Sequence, residues 1–433
     1  MRRIDRKGLR APALVLDLEL TPDGQPGRDR IAVGGYETLW CLSRVRGVPR
    51  EVSFWDVTGD TAVSVRELRD RLNGTLAAGS ATTPRSLRPR TAATEMTVVI
   101  CTRDRPAGLR STLASLRRQD DPEFGVLVVD NSPGSPAVAA ALGELGPLRR
   151  QCVVEPRPGL AWARNRALGA VRTEVVAWID DDEIADPGWV GRLKLGFAHE
   201  AAPAAVCGMM LPAELDTEAQ VRFEQYGGFN KGRGMTPEVL RTGAPSVTSP
   251  LYPLPPFGAG GNMAFRTDAL RAAGGFDPCL GAGRRTRGGE ETRVLALLLS
   301  AGQVVLHWPS AITWHRHRRE MAALRKQLYG YSAGLSAFYA SMIRSRPAAA
   351  FDILRLAPYA WRDLRNRSDS LRVGELPEDF PACLLKAARR GLLEGPFMYL
   401  YEAAANGRQP RRYTASLRED DEMPDQPDKQ DVS

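Results

Sequence analysis

Between residues 96 and 199 the sequence alternates short, almost unbroken apolar runs with helix-length stretches, and this narrows the fold more than any other feature. Thr97–Cys101, Val126–Asp130, Cys152–Glu155 and Val175–Ile179 read as strands. Between them a helix opens at Pro106 with Leu109, Leu113 and Leu116 on one face, and further helices cover Ala161–Val171 and Trp189–Ala198. Strands that are apolar on both faces and separated by helices predict a mainly parallel α/β sheet covered on both sides. Ligands of such sheets sit at the carboxyl ends of strands. Polar residues fall there: Thr102-Arg103-Asp104-Arg105, Asp130-Asn131 and Asp180-Asp181-Asp182-Glu183 each follow a strand.

The remaining chain divides around this block, which we take as 95–320. Residues 1–78 form a small α+β unit, with strands at Ala13–Leu20, Ile31–Ser43 and Val52–Val57 and a helix at Ser64–Leu72. Residues 79–94, rich in Ala, Ser, Thr, Pro and Arg, read as a linker. Residues 321–412 are a helical extension. Within it Leu328, Tyr331, Leu335, Phe338 and Met342 form an apolar stripe that reads as packing. Cys383–Ala405 mixes basic and apolar residues and is broken at Gly395-Pro396; core packing is preferred there over a membrane surface. Residues 413–433 are an acidic, disordered tail.

Charge and cysteine usage limit the function classes. The net charge is +8, and with the acidic stretch Glu419–Asp431 set aside the rest carries +14, which suits an anionic ligand. The 53 arginines against six lysines favour phosphate forks, although GC-rich coding gives the same bias. Six cysteines without a C-x-x-C pair form neither a zinc nor a disulfide framework and read as reduced thiols. No secretion signal is read, because Asp17 cuts the apolar run Ala11–Leu16 short. Val294–Trp314 is uncharged but reads as helix, turn and strand, since it contains Gly302-Gln303 and His307-Trp308-Pro309.

Three segments can carry chemistry. Asp180-Asp181-Asp182 places three mutually repelling carboxylates at a strand end, a costly cluster unless a cation neutralises it. Oxygen ligands suit Mg2+ or Mn2+, which would in turn hold a diphosphate; the bland alternative is a solvated loop capping the next helix at Asp186-Pro187. Gly288-Gly289-Glu290-Glu291-Thr292 opens a helix, where a carboxylate can serve as general base or simply satisfy the helix dipole. The two glycines there would let a ligand approach closely. In Trp314–Arg319, His315 is either a metal ligand or a hydrogen-bonded structural histidine, and the arginines can hold phosphate. Gly159–Asn165 and Gly258–Met263 are glycine-led turns, weak signals taken singly.

In this order and spacing, Val98–Pro106, Val128–Asn131, Gly159–Asn165, Asp180–Asp182, Gly260–Asn262, Gly288–Thr292 and Trp314–Arg319 resemble the family 2 glycosyltransferases of GT-A fold. The resemblance covers about residues 96–331 and implies an inverting transferase using a nucleotide-diphosphate sugar. It assigns Thr102, Arg103 and Asp130 to the nucleobase and Arg164 to base or diphosphate. Arg105, Asp181, Gly261 and Asn262 join the nucleotide-sugar set. Asp180 falls near the ribose, and Asp180, Asp182 and His315 form the metal set for Mg2+ or Mn2+. Relatives usually carry Glu-Asp after the two glycines, with the aspartate as base; here the pair is Glu290-Glu291, and Arg293 stands where an acid is often seen. Glu291 is then the base and Glu290 its neighbour on substrate or helix start.

Two other activities fit the sequence less well. A sugar-nucleotide pyrophosphorylase would need a phosphate loop and a lysine near the first strand, and no lysine occurs between Lys7 and Lys194. A nucleic-acid binder would explain the basicity but not the acidic triplet. A non-catalytic nucleotide-sugar or carbohydrate-binding homologue is the main alternative to a transferase. The acceptor expected is a hydroxyl on a small molecule or on a lipid-linked envelope glycan. A cytoplasmic protein is expected, with peripheral contact to the inner membrane face left open, as are the oligomeric state and the donor sugar.

Overall fold

A computed structural model describes residues 1–20, 29–78, 94–132, 150–231, 233–243, 257–355 and 375–406, with isolated positions between them. The linker reading 79–94, except Thr94, and the tail reading 413–433 lie outside these residues.

The chain opens with strands β1 (Arg2–Ile4), β2 (Ala13–Glu19), β3 (Arg30–Ala32), β4 (Thr38–Val45), β5 (Val48–Asp56) and β6 (Ala62–Ser64), then helix α1 (Val65–Ala78). The strand expected over Ile31–Ser43 is two, because Gly35 turns the chain at a φ of 87° between β3 and β4. A four-stranded sheet in the order β1-β5-β4-β2 is apolar on both faces. Successive side chains of β4 alternate between those faces. Leu39 and Cys41 pack with Leu68 and Leu72 of α1, whereas Trp40 and Leu42 pack with Met209, Leu211 and Ile312 of the central block. A buried ion pair, Arg44 Nη2 to Asp186 Oδ2 at 2.6 Å, crosses the same junction.

The central block contains β7 (Met96–Thr102), α2 (Pro106–Leu116), β8 (Gly125–Asp130), β9 (Arg150–Val154), α3 (Leu160–Ala170), β10 (Val175–Trp178), β11 (Glu183–Ala185) and α4 (Trp189–Phe197). It continues with β12 (Ala205–Pro212), α5 (Glu218–Gln225), β13 (Glu238–Leu240), β14 (Met263–Arg266), α6 (Thr267–Ala272), α7 (Glu290–Ser300) and β15 (Val305–His315). The sheet order is β11-β15-β12-β14-β10-β7-β8-β9, with β13 added on β15. β9, β8, β7 and β10 run parallel, as do β12 and β15, while β14 is inserted antiparallel between β10 and β12. The result is a mixed α/β fold whose sheet is mostly parallel.

Both faces of β7 are covered. Val98 and Ile100 meet α2 and α4 through Leu109, Leu113, Trp189 and Leu193; Val99 meets α3 and α7 through Ala163, Leu168, Val294 and Leu298. Each such fully buried aliphatic side chain contributes about 1.5–3 kcal/mol. β15 is much longer than the strand read at its end: it starts at Val305 and runs through Pro309, where a turn was expected. A register shift opposite Cys207 and Met209 accommodates the proline's missing donor.

Helices α8 (Met321–Ser345) and α9 (Ala382–Ala405) complete the described chain. α9 continues through Pro396 instead of breaking there. It is held against α8 at Gly391 and Gly395, where any side-chain carbon would strike the carbonyl oxygens of Tyr329 and Ala333. The apolar stripe of α8 divides its work. Leu328 packs with Phe380 and Leu384, and Phe338 and Met342 pack on α7, while Tyr331 and Leu335 face a cavity. All six cysteines are free; Cys152 and Cys383 are exposed rather than buried. Among the described residues no helix is long and apolar enough to cross a membrane.

Candidate active site

β7 and β10 are parallel neighbours, Val99 opposite Trp178, so the segments that follow them emerge side by side. Thr102 Oγ1 donates to Asp181 Oδ2 at 2.7 Å, and Arg105 Nη1 donates to Asp182 Oδ2 at 2.7 Å and Asp181 Oδ1 at 3.3 Å. The antiparallel pairing of β11 with β15 sets Glu183 opposite His315, which brings His315 Nε2 to 3.8 Å from Asp182 Oδ1. Burial pushes the His315 imidazole down to about 3, so the ring is neutral.

Arg164 of α3 is buried and joins three elements. Its Nη1 donates to Glu290 Oε1 at 3.1 Å, its Nη2 donates to the Gly260 carbonyl at 2.9 Å, and Asp180 Oδ1 lies 3.6 Å away. One guanidinium cannot neutralise every acid around it. Burial, with the Glu291 charge added, pushes Glu290 up to about 8. Asp180 is pushed up to about 6 by its enclosure, although solvent still reaches it through the cavity mouth, and burial raises Asp181 and Glu183 as well. Glu290 Oε2 has no hydrogen-bond partner. Glu291 is half-buried and open to the cavity.

These groups line one cavity of about 840 Å³. Carboxylates of Asp180, Asp181, Glu183 and Glu290 form its floor, and Arg103, Arg287, Arg318 and Lys326 stand exposed along its walls. A site with buried acids below and exposed cations above fits a divalent cation with a diphosphate bound over it. Gly261 passes directly over the acids: a Cβ there would overlap Glu183 Oε1. The glycines before Glu290 border the cavity too, but α8 is what demands them. Gly289 has a φ of 91°, and a Cβ on it would strike the Gly334 carbonyl.

Thr102, Arg103, Arg105, Arg164, Asp180, Asp181, Asp182, Gly261, Glu290, Glu291 and His315 therefore come together. Asp130 and Asn262 are not among the lining residues. Asp130 ends β8 beside Thr102, nearly buried, with Oδ1 accepting from the Ser132 amide. Asn262 is fully buried, and its amide is committed to structure: Oδ1 accepts from Trp189 Nε1, and Nδ2 donates to the carbonyls of Met209 and Ala311. Lining residues that sequence reasoning missed include Phe229, Lys231, Arg287 and Lys326, which carry no local signal. Tyr331 and Leu335 were visible only as part of a helical stripe.

Among the described residues no group of three or more His, Cys, Asp or Glu side chains is gathered for a metal ion. Asp182 and His315 face each other, while Asp180 turns toward Arg164. One carboxylate and one neutral imidazole are donors that could hold an Mg2+ or Mn2+ ion, which would supply positive charge against a bound phosphate.

Residues 97–274 match the family model described as glycosyl transferase family 2. This segment is similar to that family, and the match leaves more than half of the chain uncovered. Pre-mycofactocin glycosyltransferase of Mycobacterium tuberculosis is 27% identical over 247 residues, 55% of this chain and 47% of the relative. Glucosyl-dolichyl phosphate glucuronosyltransferase of Haloferax volcanii is 26% identical over 191 residues, 42% of this chain and 56% of the relative. The chain thus spans about half the length of the curated relatives it matches. Among solved structures, mannosyltransferase PcManGT from Pyrobaculum calidifontis, in complex with GDP-Man and Mn2+, aligns with a TM-score of 0.42 at 19% identity, covering 75% of this chain and 78% of that one. S. aureus TarS 1–349 aligns with a TM-score of 0.40 at 15% identity, covering 72% and 92%. The family 2 match ends before α7, so Glu290, Glu291 and His315 lie beyond it.

Proposed function

We propose that this protein is an inverting glycosyltransferase that moves a sugar from a nucleoside-diphosphate donor to an acceptor hydroxyl. The observation that carries the reading is a single cavity in which the open carboxylate of Glu291 and the Asp180–Asp182 triplet flank the buried Arg164. When bound, a divalent cation at Asp182 and His315 would supply positive charge against the diphosphate. Arg105, tied to Asp181 and Asp182, serves the donor's phosphate side, Arg103 its nucleobase end, and Thr102 keeps Asp181 in place. Glu291 takes the proton of the acceptor hydroxyl as its oxygen bonds to the anomeric carbon. The bond from that carbon to the diphosphate oxygen breaks on the opposite face, its electron pair leaves with the diphosphate, and the anomeric centre inverts. Glu290, its carboxyl raised by burial and by the Glu291 charge, orients Arg164 and leaves the role of base to its neighbour.

Phe229, Tyr331 and Leu335 give the cavity an apolar wall where an acceptor can rest. On α9, Leu393, Phe397, Leu400 and Tyr401 are exposed on one helical face beside Lys386, Arg389 and Arg390, which supports peripheral contact with a membrane carrying a lipid-linked acceptor. Release of nucleoside diphosphate from a panel of donor sugars, with and without acceptor hydroxyls, tests the activity. No release from any donor by a folded protein, with donor binding intact, would favour the non-catalytic reading.

A further inference from the structure

His315 does not stand alone behind the acids. Its Nδ1 lies 3.1 Å from His317 Nδ1, and His317 Nε2 lies 3.1 Å from Glu224 Oε1. All three side chains are buried. The line runs from the cavity inward: Asp182, His315, His317, Glu224. We propose that His317 and Glu224 are positioning residues that fix the ring orientation and tautomer of His315, so that its Nε2 lone pair faces Asp182 and a divalent cation bound there. The proposal rests on the metal reading above.

The contacts limit the proton count. Two Nδ1 atoms 3.1 Å apart need one proton between them, because two lone pairs or two N–H groups would repel. In the proposed arrangement Glu224 accepts from His317 Nε2, and His317 presents a lone pair at Nδ1. His315 then donates from Nδ1, which leaves Nε2 bare on the cavity side. Aromatic rings enclose the pair: Phe223 packs edge-on to His317 at 4.8 Å between centroids, and Phe229 packs edge-on to His315 at 4.9 Å. A metal-bound imidazole whose other nitrogen donates to a fixed acceptor is a recurring arrangement, and losing the acceptor costs about 10–100-fold in metal affinity.

α5 is built to carry this acceptor. A capping box between Thr217 and Gln220 fixes its start. Gln220 Nε2 also donates to the His317 carbonyl at 3.2 Å, so one helix holds both the backbone and the ring of residue 317. Gly228, at a φ of 58°, has no side chain where one would strike Glu224 Oε1.

The test is Mn2+ alone, titrated into the full chain and followed by the electron paramagnetic resonance of free Mn2+. His317→Phe keeps the packing and removes the acceptor, and should weaken Mn2+ binding about 10–100-fold. His317→Asn, whose amide oxygen can stand where Nδ1 stood, should stay within about threefold of wild type, as should Glu224→Gln. If His317→Phe binds as wild type does while Asp182→Asn loses the ion, the positioning role is wrong and the metal reading stands. If Asp182→Asn also binds as wild type does, the metal reading itself falls. Long-range 1H–15N spectra of the wild-type rings decide the case without a variant. A His315 proton on Nδ1 supports the proposal, and one on Nε2 overturns it.

Discussion

Arg164 and Glu290 meet at 3.1 Å inside the cavity wall, and the contact bolts α3 to the first residue of α7. Both side chains are almost wholly buried, so the helix that carries Glu291 is held in place from within the site.

That contact makes Arg164→Met costly. The substitution leaves Glu290 and Asp180 facing each other without their shared cation, and removing one partner of a buried pair costs about 3–5 kcal/mol. Urea unfolding should show a loss of that size, with donor affinity falling in parallel. An unchanged unfolding midpoint would mean the acids find another partner.

The two glutamates should separate kinetically. Glu291→Gln keeps the shape and removes the base, so kcat should fall about 10²–10⁴-fold while donor binding survives. Glu290→Gln still offers an oxygen to Arg164 and should leave most of the turnover. Single-turnover rates with a fixed donor would expose the reverse pattern, and with it reversed roles.

Glu290 also predicts a pH dependence of stability. Its carboxyl is raised from 4.5 to about 8 in the folded chain, so the fold binds more protons than the unfolded chain between those values. Its contribution is therefore complete below pH 4.5 and lost as pH rises through 8. Thermal midpoints of wild type against Glu290→Gln, measured from pH 5 to 9, should shift in favour of the variant at alkaline pH. Parallel curves would place the proton elsewhere.

Asp182 should govern the metal requirement. EDTA should arrest sugar transfer by the wild-type protein, and added Mn2+ should restore it. Asp182→Asn should stay inactive in excess Mn2+ while its circular dichroism is unchanged. Transfer that proceeds at full rate in EDTA would remove the cation from the reaction.

The parts of this molecule that were legible in the sequence are those where local pattern and tertiary role coincide. Val98, Val99 and Ile100 announce a doubly covered strand, and Pro106 opens α2 as read. The acidic triplet and His315 were found because both lie where strands end. Other features depend on partners far away in the chain. Nothing near Gly289 indicates that its neighbour is Gly334, and nothing near Asn262 indicates that its amide stitches β12 to β15. Likewise Glu224 and His317 are 93 positions apart, so neither residue type nor spacing could pair them. Pro309 read as a turn because the bulge that admits it is a property of two strands together.

The shared core of Trp40, Leu42, Met209, Leu211 and Ile312 has a consequence for how this protein can be taken apart. The strand that delivers His315 also supplies Ile312 to that core, so the first 78 residues buttress the site from behind. The chain is not a head on a spacer, and its leading segment cannot be exchanged for a relative's as a cassette. A graft would have to recut the surface of β12 and β15 to match, or leave a wet seam directly beneath the residues that face the ligand.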